Sequence, residues 1–197
     1  DASALDGVFA LDIICGKECV VRTGNKSPLR GGAFPEYMQN AIKNAADAGR
    51  HIMISGSYIA GDCFDSVYPI DYSDSTLAAG RKALQKFIKG TLGYSLHRTH
   101  ASRTGEVKVL GSGMQKMSFP VKPNSESYCV ECPDALHAFN MGSEIYMTYA
   151  DSGLPAAVRT SFGTYKVAAF GFPIEIITSQ EGRDGIIQST LAYFRKQ

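Results

Sequence analysis

The segment His51–Asp62, which reads HIMISGSYIAGD, constrains the fold of this chain more than any other. Its apolar run Ile52–Ile54 predicts a buried strand, and the sequence Ser-Gly-Ser-Tyr that follows predicts a tight turn into small residues able to open a helix. In an open α/β sheet, such a turn at the carboxyl end of a central strand presents one side chain to a crevice. Ser57 lies at the apex of this turn and is therefore the first candidate functional residue.

Strand and helix patterns alternate along the rest of the chain. Helical spacing and terminal signals predict three helices, at Pro35–Ala48, Ser75–Leu92 and Arg183–Arg195. Further strands are predicted at Val8–Ile14, Glu106–Leu110, Met114–Val121, Glu144–Ala150, Ala156–Thr160 and Tyr165–Phe172. The continuous apolar character of His51–Ser55 and Tyr165–Phe172 favours strands covered on both faces, as in a parallel sheet.

The connections between these elements predict loops and turns rather than linkers. Lys26–Ala33 and Asp65–Asp74 are predicted loops, Gly111–Gly113 is a predicted hairpin turn, and Asp151–Gly153 is a predicted turn between two strands. The sequence holds no internal repeat and no low-complexity tract. One domain spanning residues 1–197 is therefore predicted.

Composition excludes two classes of partner. The chain has 197 residues, 44% of them hydrophobic, and a net charge of +1, which predicts a globular domain with a substantial core. The basic residues are scattered, whereas a nucleic-acid binder clusters them. No apolar run approaches the roughly 18 residues needed to span a bilayer. We therefore expect neither nucleic acid nor a membrane span.

The amino terminus reads DASALDG, without methionine and without a charged-then-apolar leader. This is typical of a domain excised from a longer chain, or of a processed mature end. The neighbouring domains of that chain would then be its first partners.

A resemblance follows from two stretches taken together, SGSYIAGD in the first half and AAVRTSFGTYKVAAFGFPIEII before the closing helix. They resemble the class I glutamine-amidotransferase-like domains of large secreted Bacteroidetes proteins, some of which are labelled xanthan lyase. The resemblance implies a flavodoxin-like three-layer sandwich with a mostly parallel central sheet. It also implies a secreted or cell-surface location, a polysaccharide-related role, and a site near Gly56–Tyr58 that faces the loop after Phe172.

The chain departs from the family's catalytic pattern where chemistry would occur. Active members of the wider superfamily carry a cysteine at the apex and a His-Pro-Glu triplet after the last strand. Here Ser57 stands near the apex, and Phe172 stands where the base is expected. A serine hydroxyl without an adjacent base is a poor nucleophile. The resemblance therefore implies a degenerate site without glutaminase activity, for which the candidate binding residues are Gly56, Ser57, Tyr58, Asp62, Phe172 and Glu175.

Simpler structural roles also explain three of these residues. Ser57 can hydrogen-bond the backbone of its own turn. Glu175 can accept from backbone N–H groups or from Arg183. Asp62 can cap the segment that follows the turn.

The cysteines offer an alternative, a zinc site. Cys15-x3-Cys19 and Cys129-x2-Cys132 are two close pairs, and four thiolates can bind zinc. Because more than a hundred residues separate the pairs, thiol pairs or disulfides are the preferred explanation, and no metal or cofactor is predicted. Cys63 is the one cysteine near the predicted crevice, so it is a candidate nucleophile beside Ser57. The candidate catalytic residues are therefore Ser57, Cys63 and Glu175.

The histidines add two further patterns. His97-x2-His100 follows Gly93 and falls in a predicted loop. Ser57, Asp134 and His137 could form a catalytic triad. Their arrangement along the chain matches the order Ser, Asp, His of serine hydrolases only loosely.

Three function classes remain open from the sequence. The favoured one is a non-catalytic or degenerate amidotransferase-like domain in a secreted, polysaccharide-related protein. The second is an active hydrolase or amidotransferase that uses Ser57 or Cys63. The third is a structural spacer between neighbouring domains.

Overall fold

The computed structural model describes residues 6–21, 30–65, 75–111 and 116–196. The strands are β1 (Ala10–Gly16), β2 (Val20–Val21), β3 (Arg30–Gly31), β4 (His51–Gly56), β5 (Tyr94–Arg98), β6 (Glu106–Val109), β7 (Met117–Ser118), β8 (Ala135–Ala138), β9 (Ser143–Tyr149), β10 (Pro155–Ser161) and β11 (Lys166–Phe170). The helices are α1 (Glu36–Asp47), α2 (Gly61–Phe64), α3 (Ser75–Phe87) and α4 (Gln180–Arg195). A π-helical turn (Ile88–Leu92) extends α3, and a 3-10 turn (Ile174–Ile176) precedes α4.

The described strands form one seven-stranded sheet and two small two-stranded sheets. The large sheet has the order β1-β4-β11-β10-β9-β6-β7, while β2 pairs with β3 and β5 pairs with β8. Only β1, β4 and β11 run parallel to one another. The other four strands of the large sheet join by antiparallel pairing. The architecture is therefore a mixed α/β fold that is rich in strands.

The prediction of a flavodoxin-like sandwich with a mostly parallel sheet is wrong. The cause is the length of the connections in the second half of the chain. Residues 150–154 join β9 to β10, and residues 162–165 join β10 to β11. A parallel pair needs a crossover of a dozen residues or more, so these short connections impose antiparallel pairing.

The two strands predicted to be buried are confirmed and lie side by side. Val167 of β11 pairs with Ile52 of β4 in parallel register. Ile52 and Ile54 pack into one apolar cluster, whereas Met53 between them packs into the other, on the opposite face. The centre of the sheet is thus covered on both sides, as its continuous apolar sequence requires.

The predicted helices are also confirmed. Pro35 precedes α1, whose Ile42, Ala45 and Ala46 are buried. The predicted helix Ser75–Leu92 corresponds to α3 with its π-helical extension, which ends at Gly93 in the left-handed region at φ 81°. No helix in the described ranges is long and apolar enough to cross a bilayer.

Four predicted segments fall wholly or partly outside the described residues. They are the loop Asp65–Asp74, most of the loop Lys26–Ala33, most of the hairpin turn Gly111–Gly113, and the beginning of the strand Met114–Val121. Of that strand, the structure shows β7 alone. The sequence analysis had missed β5 and β8, and both prove important for the arrangement of the candidate sites.

Candidate functional site

Gly56 ends β4 where the side chains of Cys15 and Ile59 lie close to its backbone. A Cβ atom added to Gly56 would lie 2.8 Å from Cys15 Cβ and 3.0 Å from Ile59 Cγ2. The next residue, Ser57, donates its backbone N–H to the carbonyl oxygen of Gly16 at 2.9 Å. The turn is therefore fixed against the carboxyl end of β1, and only glycine fits at its first position.

Ser57 itself is enclosed by the protein. Its exposed fraction is 1%, and its hydroxyl oxygen has no hydrogen-bond partner among the described residues. A cavity of about 60 Å³ lies beside the turn, and Tyr58, Asp62 and Cys63 contribute to its lining, whereas Ser57 does not. The turn thus brings three of the predicted residues to one small cavity and leaves the apex side chain out of it.

Cys63 borders this cavity but is protected from solvent. Its exposed fraction is 1%, and burial raises the pKa of its thiol far above the ordinary value, an effect that Arg81 opposes. The thiolate is the nucleophilic form of cysteine. Cys63 therefore remains a protonated, unreactive thiol at neutral pH.

No hydrogen bond or ring contact joins a histidine to the turn within the described part of the chain. His51 stacks on Phe194 at the start of β4, with ring centroids 4.9 Å apart. His97 and His137 are exposed on β5 and β8. The structure therefore does not bring Ser57 and His137 together as a catalytic pair.

Asp134 has a role that the sequence analysis did not foresee. It is completely buried, and its Oδ2 atom accepts hydrogen bonds from the backbone N–H groups of Ala60 and Gly61, both at 2.8 Å. The Oδ1 atom has no partner among the described residues. Burial raises the pKa of this carboxyl group well above its usual range, and the two N–H donors oppose the shift. Asp134 thus holds the segment that follows the turn instead of acting as a triad acid.

Asp62 makes a weaker contact of the same kind. It is 7% exposed, and its Oδ2 atom accepts from the backbone N–H of Ala33 at 3.4 Å. The carboxylate thereby ties α2 to the segment before α1. This contact is structural, but it reaches back to Ala33 and does not cap the segment after the turn, which is the role that the sequence analysis had set beside a binding role.

Glu175 lies at the carboxyl end of β1, next to Gly16. The Tyr128 hydroxyl donates a hydrogen bond to its Oε1 atom, while its Oε2 atom is buried without a partner among the described residues. Partial burial, together with the nearby Glu175 charge, raises the pKa of Asp12 on β1. Arg183, which had been considered as its partner, donates instead to the carbonyl oxygen of Ile177.

Phe172 belongs to the core. It is fully buried and stacks on Phe119, with ring centroids 5.2 Å apart and an interplanar angle of 11°. The position that would hold a base in the resemblance thus packs apolar surface and does not face the turn cavity. Binding roles for the candidate residues Gly56, Ser57, Tyr58, Asp62, Phe172 and Glu175 remain predictions.

The cysteines do not assemble into a metal site in the part of the chain that the structure describes. All five are free thiols, and no group of three His, Cys, Asp or Glu side chains is arranged to hold a metal ion. Cys15 donates weakly to the carbonyl oxygen of Ala33 at 3.7 Å. Cys129 donates to Glu131 Oε1 at 3.3 Å. No disulfide joins any of these cysteines.

One contact missed by the sequence analysis joins Cys132 to His100. The Sγ atom of Cys132 lies 2.8 Å from Nε2 of His100. The antiparallel pairing of β5 with β8 explains it, because Arg98 at the end of β5 lies opposite Ala135 at the start of β8. Residues just after β5 and just before β8 are consequently neighbours. Recognising these two strands as partners would have found the contact.

Comparison with known proteins assigns no family to this arrangement: no protein-family model matches the sequence, and no curated protein matches it significantly.

Proposed function

We propose that this chain is a degenerate amidotransferase-like domain of a secreted, polysaccharide-related protein, and that the turn after β4 has no catalytic activity. The proposal takes the function from the motifs of the resemblance and not from a flavodoxin-like sheet, which this chain lacks. Its neighbouring domains and a polysaccharide are the proposed partners. A secreted or cell-surface location belongs to the same proposal.

The observation that carries this proposal is the burial of both candidate nucleophiles. Ser57 and Cys63 are each 1% exposed, so neither can meet a substrate without rearrangement of the turn. A serine needs an adjacent base, and a cysteine needs to ionise, before either attacks a carbonyl carbon. Phe172 cannot accept a proton, and the raised pKa of Cys63 opposes ionisation.

The size of the turn cavity supports the same conclusion. Its volume is about 60 Å³, whereas ligand pockets measure roughly 300–1,000 Å³. A cavity of this size holds about two water molecules at their liquid volume. Glutamine therefore has no room beside Ser57 or Cys63.

We expect the purified chain to release no ammonia from glutamine above the rate in buffer. A coupled assay for ammonia, with an active glutaminase as the positive control, measures this. A site that lacks both a nucleophile and a base retains only the residual catalysis that electrostatic groups provide.

The variants Ser57→Ala, Cys63→Ala and Cys132→Ala separate the possible sources of any turnover. Loss of turnover with Ser57→Ala or Cys63→Ala would contradict the proposal and favour the active hydrolase. A rate that survives both substitutions but is lost with Cys132→Ala supports the proposal for the turn and locates the activity elsewhere.

A wide groove favours a binding role over a simple spacer. It has a volume of about 780 Å³ and is bordered by residues 98–104, by Lys122 and by the turn 151–154. Its exposed cations Arg98, Arg103 and Lys122 form no ion pair within the described residues. Such a groove attracts an anionic chain more strongly than a neutral one.

We expect polygalacturonate to retard the native chain in affinity electrophoresis, and neutral dextran to leave its mobility unchanged. Combined Arg103→Gln and Lys122→Gln substitutions should abolish most of the retardation, because they remove two of the three cations. Lys108→Gln on β6, which changes charge outside the groove, is the matched control. Equal mobility of the native chain in both gels would favour the spacer.

A further inference from the structure

Cys132 and His100 form a nucleophile–base pair on the protein surface. Their Sγ···Nε2 distance is 2.8 Å, which is within hydrogen-bond reach for proton transfer. Cys132 is partly exposed and His100 is exposed. This pair therefore has what the turn after β4 lacks, namely a thiol and a base in contact with each other and with solvent.

The backbone of His100 has a positive φ angle. At φ 52°, it is the one non-glycine residue with positive φ in the described ranges. Residues other than glycine adopt this region uncommonly, histidine more often than most, and such residues concentrate at functional sites. The observation is independent of the thiol contact.

The surrounding hydrogen bonds fix this conformation. The N–H of Ala101 donates to the carbonyl oxygen of Pro133 at 2.9 Å, which joins the two segments that carry the pair. Ser152 donates its hydroxyl to the carbonyl oxygen of Ala101 at 2.6 Å, and Ser102 donates to Asp151 at 2.9 Å. His100 thus lies within a hydrogen-bonded frame.

The groove that His100 borders carries excess positive charge. Of its two acids, Glu131 forms an ion pair with Lys17 at 2.6 Å, whereas Asp151 accepts hydrogen bonds from the backbone N–H groups of Arg103 and Thr104, which leave its negative charge in place. Arg98, Arg103 and Lys122 form no ion pair within the described residues, so three cations face one unpaired carboxylate. A ligand in this groove is therefore expected to be anionic.

We propose that Cys132 is a nucleophilic thiol activated by His100, and that the groove selects an anionic substrate with an electrophilic carbon, such as an ester or amide carbonyl. The Sγ–H proton moves to Nε2 of His100 while the sulfur lone pair forms a bond to that carbon. The leaving group departs with the electron pair of its broken bond and takes the proton from His100. Water then hydrolyses the acyl–sulfur bond and restores the thiol.

This site is separate from the turn after β4, and it requires neither Ser57 nor Cys63. The proposal deepens the anion-binding part of the proposed function but does not depend on a polysaccharide. If polygalacturonate does not retard the chain in the gel while Cys132 still reacts as predicted, only the polysaccharide is ruled out as the ligand.

Iodoacetate and iodoacetamide test both parts of the proposal, because they differ in charge and share the same reacting carbon. The reduced, full-length chain is alkylated at pH 6.5, and mass spectrometry follows each cysteine separately. Cys19, which is partly exposed, serves as the internal reference. Because burial raises the pKa of its thiol and Cys132 lies within electrostatic reach of it, its rate is also measured in the Cys132→Ser variant. We expect Cys132 to react at least about 10-fold faster than Cys19, since His100 can take the thiol proton as the sulfur attacks the carbon.

The groove predicts a preference for the charged reagent. The iodoacetate-to-iodoacetamide rate ratio at Cys132 should exceed that at Cys19 by about 5-fold or more, through the local concentration of anions. Combined Arg103→Gln and Lys122→Gln substitutions should bring the two ratios together, whereas Lys108→Gln should not.

His100→Asn removes the base while keeping a residue that tolerates positive φ. It should slow Cys132 to the rate of Cys19 and leave Cys19 unchanged, while His97→Asn should affect neither. Circular dichroism and the unfolding midpoint verify that each variant is folded. If Cys132 in the native chain reacts no faster than Cys19, or if His100→Asn does not slow it, Cys132 is not an activated nucleophile. If the iodoacetate-to-iodoacetamide rate ratios are equal at the two cysteines, the groove does not favour anions.

Discussion

Replacing Gly171 with alanine is expected to lower the free energy of unfolding by about 4 kcal/mol or more, which places it among the exceptional single substitutions. An added Cβ would lie 2.0 Å from the carbonyl oxygen of Asp134 and 3.4 Å from that of Ala156. Both obstacles are backbone atoms that cannot rotate away. Gly171 also exchanges backbone hydrogen bonds there, accepting from Asp134 N–H and donating to Ala156, both at 2.8 Å.

Urea denaturation followed by circular dichroism measures the loss. Gly80→Ala in α3 is the matched control, because nothing lies within 4 Å of its added Cβ. There we expect a gain of about 0.5–1 kcal/mol from the better helix propensity of alanine. A Gly171→Ala variant within about 1 kcal/mol of the native chain would show that Asp134 and Ala156 do not approach Gly171 this closely.

The sequence indicated individual elements because local patterns encode them. The helices were predicted from apolar spacing and from end signals such as Pro35, which directly precedes α1 in the structure. The central strands β4 and β11 came from continuous apolar runs. Periodicity depends on neighbours along the chain, so a single sequence suffices to find it.

The direction of the strands was the main error, and it was avoidable. The turn Asp151–Gly153 was recognised from its residues, and a turn this short between two strands already implies antiparallel pairing. The family resemblance led to a parallel sheet instead. Connection lengths were the better guide to the topology of this chain.

The candidate sites depended on tertiary neighbours, which no local pattern gives. Ser57 lies in the turn as predicted, but its exposure depends on what packs above the turn. Cys132 and His100 meet because β5 and β8 pair, and Ala135–Ala138 is too short and too mixed for its strand pattern to be recognised. Their 32-residue separation matches no spacing rule for a dyad, because such pairs are defined by geometry and not by order along the chain.

The second large effect on stability is expected at Asp134, because of the hydrogen bonds that its side chain accepts. Asp134→Ala removes the oxygen that accepts from Ala60 and Gly61, and leaves both N–H groups buried without a partner. Since each such orphan costs about 1–3 kcal/mol, we expect this variant to be less stable than Asp134→Asn by about 2–5 kcal/mol. Asn retains a side-chain oxygen for both donors, so the comparison isolates the hydrogen bonds from the charge. Urea midpoints at pH 4 and pH 7 measure both variants.

The charge of Asp134 has a separate effect, which is measured in the pH dependence of the free energy of unfolding. Because burial raises the pKa of this carboxyl in the folded state, the unfolded chain releases the proton first as the pH rises above about 4. Native stability therefore falls, by at most about 1.4 kcal/mol per pH unit for this group, until the folded-state pKa is reached. Asp134→Asn does not titrate, so its stability relative to the native chain should increase from pH 4 to pH 7. A difference that stays constant over this range, or that shrinks, would show that Asp134 ionises in the folded protein as readily as in the unfolded chain.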